Sequence, residues 1–281
     1  MRKYVTLFRI KHYIKNFLIF IPIFFSRKLF CQEKILACFF AFIAFCFASS
    51  AIYIFNDIID AEKDSLHPIK KNRPIASGVI SIKKAVICGI CCSIFALIFQ
   101  EGGGKNAITL WCIPIYLILN ILYSIFLKNK VLWDVVILVS GFLIRVLYGA
   151  VVADVAISGW LYLTVIAISF YMAFGKRRNE LKETGEETRS VLKYYSYEFL
   201  DKNMYMCMCM ANVFYSLWAM DSGRRMLLTV PIILILSIRY SFVIECKQSR
   251  GDPIEVILSD KAILLIVAIY IICICFFVYI V

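Results

Sequence analysis

Residues 35–64 read ILACFFAFIAFCFASSAIYIFNDIIDAEKD, a long apolar run that turns polar at Asn56. A helix needs about 20 mostly apolar residues to cross a bilayer, and positions 35–56 supply them without a charged side chain. Asp57, Asp60 and Asp64 follow at once. The stretch therefore predicts a transmembrane helix that carries an acidic cluster at one end.

Similar apolar segments recur along the whole chain of 281 residues, of which 62% are hydrophobic and 18% are charged. Soluble domains average about 45–50% apolar and about 25% charged residues. We therefore predict an all-α membrane protein with about nine transmembrane helices and a single domain over 1–281. The predicted spans are 14–30, 35–56, 80–99, 107–127, 131–152, 157–175, 205–220, 226–245 and 262–281, and the signal is weakest in the first and the seventh.

The basic residues are distributed unevenly between the connections of these spans. Of the 31 Lys and Arg residues, 23 lie in one alternating set of connections and six lie in the other. Basic loops favour the cytoplasmic side of a membrane, which places the N-terminus and the acidic cluster there. The net charge of +12 is explained by this topology, and we expect no nucleic-acid partner.

The acidic cluster has the spacing of a divalent-metal site. Asp57, Asp60 and Asp64 stand at i, i+3 and i+7 and share one face of a helix, with Asn56 one turn before Asp60. Carboxylates crowded at a membrane repel one another, and a bound cation offsets that cost. Mg²⁺ uses one or two carboxylates together with substrate phosphates. We predict that Asn56, Asp57, Asp60 and Asp64 bind Mg²⁺; the alternative is a solvated acidic helix end.

A basic segment follows the acidic one and reads HPIKKNRPIASG over 67–78. Lys70, Lys71 and Arg73 are suited to phosphate oxygens, which arginine often binds with two parallel hydrogen bonds. Alone, such a segment is typical of an ordinary cytoplasmic loop. Next to the acidic cluster, it predicts the second half of a site for Mg²⁺ and a diphosphate.

The pattern Asn-Asp-x-x-Asp-x-x-x-Asp, followed by Arg-Pro-Ile-Ala-x-Gly, resembles the UbiA superfamily of intramembrane prenyltransferases. The resemblance implies nine transmembrane helices around a cavity that opens to the cytoplasmic leaflet. Other segments are similar to its decaprenyl-phosphate phosphoribosyltransferase branch. They are Tyr13 to Asn16, Tyr123 to Lys128, Asp134, Ser140 to Arg145, Gly175 to Leu181, Arg239-Tyr240, Gly251 to Pro253 and Ser259 to Lys261.

The chain departs from the wider superfamily after its sixth predicted span. Aromatic prenyltransferases carry a second aspartate-rich motif there, whereas this chain has Lys176-Arg177-Arg178-Asn179-Glu180. Such a cationic cluster binds a phosphate directly. One acidic and one basic site match 5-phosphoribosyl 1-diphosphate (PRPP), which has a diphosphate and a separate phosphate. We predict that Lys176 and Arg177 bind phosphate and that Glu180 orients one of them; the alternative is that these cations only fix topology.

Four further residues are predicted to bind substrate. Arg145 lies deep within the fifth predicted span, where a charge is costly unless it faces a polar cavity. Lys15, Tyr123 and Lys128 are each compatible with an ordinary place at the membrane interface, and the family resemblance assigns them to the site.

The predicted activity is transfer of 5-phosphoribose from PRPP to a polyprenyl phosphate in the bacterial inner membrane. The catalytic residues would be Asp57, Asp60, Asp64 and Lys176, and the cofactor Mg²⁺. Two alternatives remain. One is a prenyltransferase that moves a polyprenyl group from its diphosphate to an aromatic acceptor. The other is a transporter in which the acidic cluster couples ions, although no inverted repeat is visible.

Overall fold

The structure is a computed structural model that describes residues 2–66, 70–104, 106–184, 190–246 and 259–280. Throughout these residues the regular structure is helical. The helices are α1 (Arg2–Leu7), α2 (Ile21–Phe25), α3 (Gln32–Ile59), α4 (Ala61–Leu66), α5 (Ile82–Glu101), α6 (Ala107–Ile125), α7 (Trp133–Ala153), α8 (Gly159–Thr184), α9 (Tyr197–Asp221), α10 (Val230–Cys246) and α11 (Lys261–Tyr279). Short 3₁₀ stretches are Ile10–Phe20, Lys70–Asn72, Leu127–Asn129, Leu192–Tyr194 and Arg224–Thr229.

Seven helical segments are long and apolar enough to cross a membrane, among the residues that the structure describes. They coincide with seven of the nine predicted spans, and the two others are the first and the seventh. The first is the 3₁₀ stretch Ile10–Phe20 followed by the short α2, which has Pro22 in its first turn. The seventh lies inside α9, whose first turns carry Glu198, Asp201 and Lys202. The prediction of an all-helical membrane fold is confirmed.

The chain divides into two compact units. The first comprises residues 1–128 and 144–156, and the second comprises 129–143 and 157–281. Helix α7 contributes residues to both. The single domain expected over 1–281 stays a prediction.

The first unit is built around α3, which packs against α5, α6 and the 3₁₀ stretch Ile10–Phe20. Ala41, Ala44 and Ala48 of α3 are fully buried, and small side chains of this kind let membrane helices approach closely. A closer approach occurs at Gly149 of α7, where an added Cβ would lie 1.9 Å from the carbonyl oxygen of Ile19. This packing holds the N-terminal segment against the core.

The second unit is built mainly on the packing of α8 against α9, and α10 packs against α11. Its core includes Tyr171 of α8, Leu200 and Met204 of α9, and Val243 of α10, each with at most 2% of its surface exposed. The 3₁₀ turn Leu192–Tyr194 adds the fully buried Leu192. The core therefore fixes the ends of α8 and α9, where charged residues are concentrated.

Candidate functional site

The acidic cluster lies at the junction of α3 and α4. Helix α3 ends at Ile59, Asp60 is its C-cap, and α4 begins at Ala61. The Asp64 amide donates to the Asp60 carbonyl at 2.7 Å, so the chain keeps a helical turn across the junction. Asp57 is 2% exposed and Asp64 is 3% exposed, whereas about a third of the Asp60 side chain is accessible.

The guanidinium group of Arg73 binds both Asp57 and Asp64. Arg73 Nη1 lies 3.0 Å from Asp57 Oδ1 and 2.5 Å from Asp64 Oδ2. A second guanidinium, from Arg9, donates from Nη2 to Asp57 Oδ1 at 2.5 Å. Two buried carboxylates and two arginines thus form one compact charge cluster.

The other two residues of the predicted metal set have different partners. Lys128 Nζ donates to Asp60 Oδ1 at 2.7 Å, and the Ser124 hydroxyl donates to the Asn56 side-chain oxygen. Tyr123, next to Ser124 on α6, is buried. The structure therefore places Lys128 beside Asp60, and the substrate-binding roles of Lys128 and Tyr123 stay predictions.

A divalent cation needs several oxygen ligands around one position. Within the described ranges, no three His, Cys, Asp or Glu side chains stand close enough to hold a metal ion. Asp57 and Asp64 nevertheless converge on one positively charged nitrogen, Arg73 Nη1. That nitrogen marks a position from which a cation reaches both carboxylates, so these two residues fit Mg²⁺ with its remaining ligands from water and phosphate.

The basic segment lies beside the acidic one. Lys70 and Lys71 form a 3₁₀ turn that packs near α4, and the Arg73 amide donates to the Lys70 carbonyl at 2.9 Å. This turn delivers the Arg73 guanidinium to Asp57 and Asp64. The preceding residues 67–69 lie outside the described part of the chain.

Arg145 occupies a buried polar pocket of the first unit. Its Nε donates to Asn16 Oδ1 at 2.7 Å, and its Nη2 donates to Ser49 Oγ at 3.1 Å and to the Tyr116 hydroxyl at 3.2 Å. The guanidinium also lies over the Phe45 ring, 5.0 Å from its centroid. Arg145 is 6% exposed, so these contacts replace the water that a charge requires. Lys15, adjacent to Asn16, is half-buried.

In the second unit, Arg177 is fully buried between two carboxylates. Its Nε donates to Asp134 Oδ2 at 2.5 Å and its Nη1 donates to Glu180 Oε2 at 2.6 Å. The Tyr195 hydroxyl donates to Asp134 Oδ1 at 2.7 Å and accepts from the Leu132 amide. Burial, together with the hydrogen bond to Asp134, holds the pKa of Tyr195 above its usual value, so the phenol stays neutral and donates.

This arrangement changes the interpretation of the cationic cluster 176–180. Arg177 is neutralised by Asp134 and Glu180, and Arg178 contacts Asp201 at 2.7 Å and also Glu245. The fully buried Arg177 guanidinium thus already holds two carboxylates in this structure, and its role as a phosphate ligand stays a prediction. Glu180 contacts Arg177, and its role in orienting a cation of the site stays a prediction. Lys176 and Glu180 are half-buried.

Comparison with known proteins identifies the family. The sequence model of the UbiA prenyltransferase family matches residues 28–256. This chain belongs to the UbiA prenyltransferase family. It is an integral membrane protein and a transferase of that family, and the resemblance drawn from the motifs is confirmed.

Relatives support the family assignment, and a solved structure shares the fold. This UbiA-family chain is 31% identical over 268 residues to decaprenyl-phosphate phosphoribosyltransferase of Corynebacterium glutamicum, covering 91% of the chain and 80% of the relative. It is 31% identical over 239 residues to the protein of that name from Mycolicibacterium smegmatis, covering 79% and 74%. A UbiA homologue from Archaeoglobus fulgidus, solved with GPP and Mg²⁺, superimposes with a TM-score of 0.76 at 15% identity, covering 98% and 99%.

No motif of this UbiA-family sequence points to Arg9 as a residue of the site. It is one of the basic residues of the N-terminal arm, and no local motif links it to Asp57, which lies 48 positions away. Around Arg145, Asn16 belongs to the segment Tyr13 to Asn16 that resembles the family, whereas no motif indicates Ser49 or Tyr116. A charge within an apolar span indicates that polar partners exist, but packing alone shows which ones they are.

Proposed function

We propose that this chain transfers a 5-phosphoribosyl group from PRPP to a polyprenyl phosphate and releases diphosphate. The observation that carries the proposal is the similarity, over most of both chains, to the decaprenyl-phosphate phosphoribosyltransferases. A second feature agrees with it. Lys176 and Glu180 stand where paired aspartates are expected in an aromatic prenyltransferase.

The reaction is a substitution at the anomeric carbon of ribose. A phosphate oxygen of the lipid forms a bond to that carbon as the bond to the diphosphate oxygen breaks. The lipid phosphate is already an anion, so no strong general base is needed. Catalysis then depends on positioning and on stabilising the charge of the departing diphosphate.

Mg²⁺, when bound, would neutralise the negative charge that develops on the leaving diphosphate. Asp57 and Asp64 would hold the cation, since both carboxylates reach the same cationic nitrogen. Asn56 and Asp60 are proposed to complete the metal site. Their contacts with Ser124 and Lys128 would orient them.

The cations of the chain are proposed to bind the phosphate groups. Lys70, Lys71 and Arg73 lie in and beside the turn next to α4 and suit the diphosphate. Lys15, Lys128 and Lys176 are proposed to bind the remaining phosphates of donor or acceptor, and Tyr123 to line the site. Arg145 is proposed to bind substrate from the buried polar pocket in which it contacts Asn16 and Ser49.

The proposed location is the bacterial inner membrane, with the N-terminus and the acidic cluster toward the cytoplasm. The excess of Lys and Arg in one set of connections supports this orientation. PRPP is a highly charged soluble compound, so a site on the cytoplasmic side gives it direct access.

The deciding experiment offers two donors to the purified chain side by side. With Mg²⁺ and polyprenyl phosphate, PRPP should yield a phosphoribosylated lipid and diphosphate. A prenyl diphosphate with an aromatic acceptor should yield no product. Product from the prenyl donor alone would replace the proposal with the prenyltransferase alternative. Uptake of a solute into proteoliposomes without any product would support a transporter.

A further inference from the structure

Arg9 has an unusual backbone conformation for a charged residue. It lies between α1 and the 3₁₀ stretch Ile10–Phe20, with φ 50° and ψ 47°. This left-handed conformation is uncommon and costly for a residue with a side chain. Its side chain leaves that bend, passes over the Tyr53 ring at 4.7 Å and reaches Asp57.

Arg9 and Arg73 donate to the same oxygen, Asp57 Oδ1. Arg73 also holds Asp64. Two carboxylates and two guanidinium groups cancel in formal charge. The carboxylates proposed to hold Mg²⁺ are therefore already neutralised by the protein itself.

We infer that Arg9 and Arg73 compete with the divalent cation for Asp57 and Asp64, and that they move to the diphosphate when the cation takes the carboxylates. The inference rests on the proposed metal site and makes Arg9 a substrate-binding residue. It predicts that the cation and the diphosphate bind as a pair, because neither has its full set of partners in the absence of the other.

The reason is the charge that each ligand leaves behind. A metal ion bound alone would displace the two guanidinium groups from their carboxylates. These groups would then lie close to the metal ion, and the repulsion between the positive charges is strong in buried surroundings. A diphosphate supplies the missing negative charge, and its oxygens match the planar guanidinium donors. Such a coupling between two ligands is reciprocal and is typically worth 5- to 150-fold in affinity.

The test measures binding in the full chain with two probes. Mn²⁺ replaces Mg²⁺, and its loss from solution is followed by electron paramagnetic resonance. The second probe is the preformed Mg²⁺–diphosphate complex, titrated calorimetrically. The variants are Arg9→Gln and Arg9→Lys. The matched control is Arg27→Gln, because Arg27 belongs to the same unit and is also left-handed, with φ 61°, but is exposed.

Arg9→Gln should bind Mn²⁺ alone about tenfold more tightly than the wild type. The same variant should bind the Mg²⁺–diphosphate complex about tenfold more weakly. For each probe, the affinity of Arg9→Lys should lie between those of the wild type and Arg9→Gln. Arg27→Gln should bind both probes as tightly as the wild type. Opposite shifts from one substitution distinguish competition from general loss of structure, since an unfolded site would weaken both probes.

Two results would overturn the inference. If Arg9→Gln and Arg9→Lys bind Mn²⁺ alone no more tightly than the wild type, Arg9 does not compete with the cation. The proposed metal site would still stand in that case. If the wild type binds neither Mn²⁺ nor the complex, the metal site fails, and this inference fails with it.

Discussion

Arg177 Nε donates to Asp134 Oδ2 across 2.5 Å, and neither side chain is exposed to solvent. The pair joins the first turn of α7 to the last part of α8 inside the second unit. Because both charges are buried, loss of either partner is costly: removal of Asp134 leaves Arg177 with the carboxylate of Glu180 only, and removal of Arg177 takes away the guanidinium that Asp134 contacts. Asp134 and Arg177 therefore stabilise the part of α8 that carries Lys176 and Glu180.

Asp134→Asn should lower the stability of the second unit by about 3–5 kcal/mol, the typical cost of breaking a buried ion pair. Thermal unfolding of the purified chain in detergent measures the effect. Asp221→Asn is the control, since Asp221 is exposed at the end of α9, and it should change stability by less than about 0.5 kcal/mol. Equal unfolding temperatures for the two variants would contradict the buried pair.

Asp64→Asn should reduce turnover by more than about 100-fold, because it removes a proposed metal ligand. Glu62→Gln is the matched control, since Glu62 is an exposed carboxylate on the same short helix, and it should keep wild-type activity. Product formation from PRPP and polyprenyl phosphate is the measurement. EDTA should abolish the wild-type activity and added Mg²⁺ should restore it; full turnover in EDTA would remove the metal from the mechanism.

Lys176→Ala should weaken use of a phosphorylated substrate by roughly 10- to 150-fold, which corresponds to one hydrogen bond to a charged group. The Mg²⁺ requirement should remain, since Lys176 is not among the proposed metal ligands. Lys202→Ala is the control, because Lys202 is exposed near the start of α9. Steady-state kinetics at several donor and acceptor concentrations decide the matter. If Lys176→Ala and Lys202→Ala have the same kinetics, Lys176 does not bind substrate and contributes only to the orientation of the protein in the membrane.

Gly149→Ala should destabilise the first unit by about 1–3 kcal/mol or more, since its Cβ would collide with the backbone carbonyl of Ile19. Gly89→Ala is a matched change in α5 of the same unit, where the new Cβ would make an ordinary contact of 3.5 Å with Ile54. Unfolding temperatures of the two variants test the close approach. Comparable stability for both would mean that the 3₁₀ stretch is free to move away from α7.

The sequence by itself determined the class of the protein and the position of its acidic cluster. The length and apolarity of a spanning segment are local properties. Seven spans and the helical character of the other two could therefore be predicted without knowledge of any tertiary contact. The spacing of Asp57, Asp60 and Asp64 is local in the same way, since a helical repeat alone brings such positions onto one face.

Only the tertiary structure decided which cation neutralises which carboxylate. Arg9 reaches Asp57 from 48 positions away, Lys128 reaches Asp60 from 68, and Arg177 reaches Asp134 from 43. The pairing depends on which helix ends meet after packing, and no periodicity in the chain encodes that. Arg177 shows the consequence: its position next to Lys176 predicts a phosphate ligand, and only packing reveals that its buried guanidinium lies between Asp134 and Glu180. A desolvated guanidinium depends on the carboxylates that packing brings to it, and these lie outside any local motif.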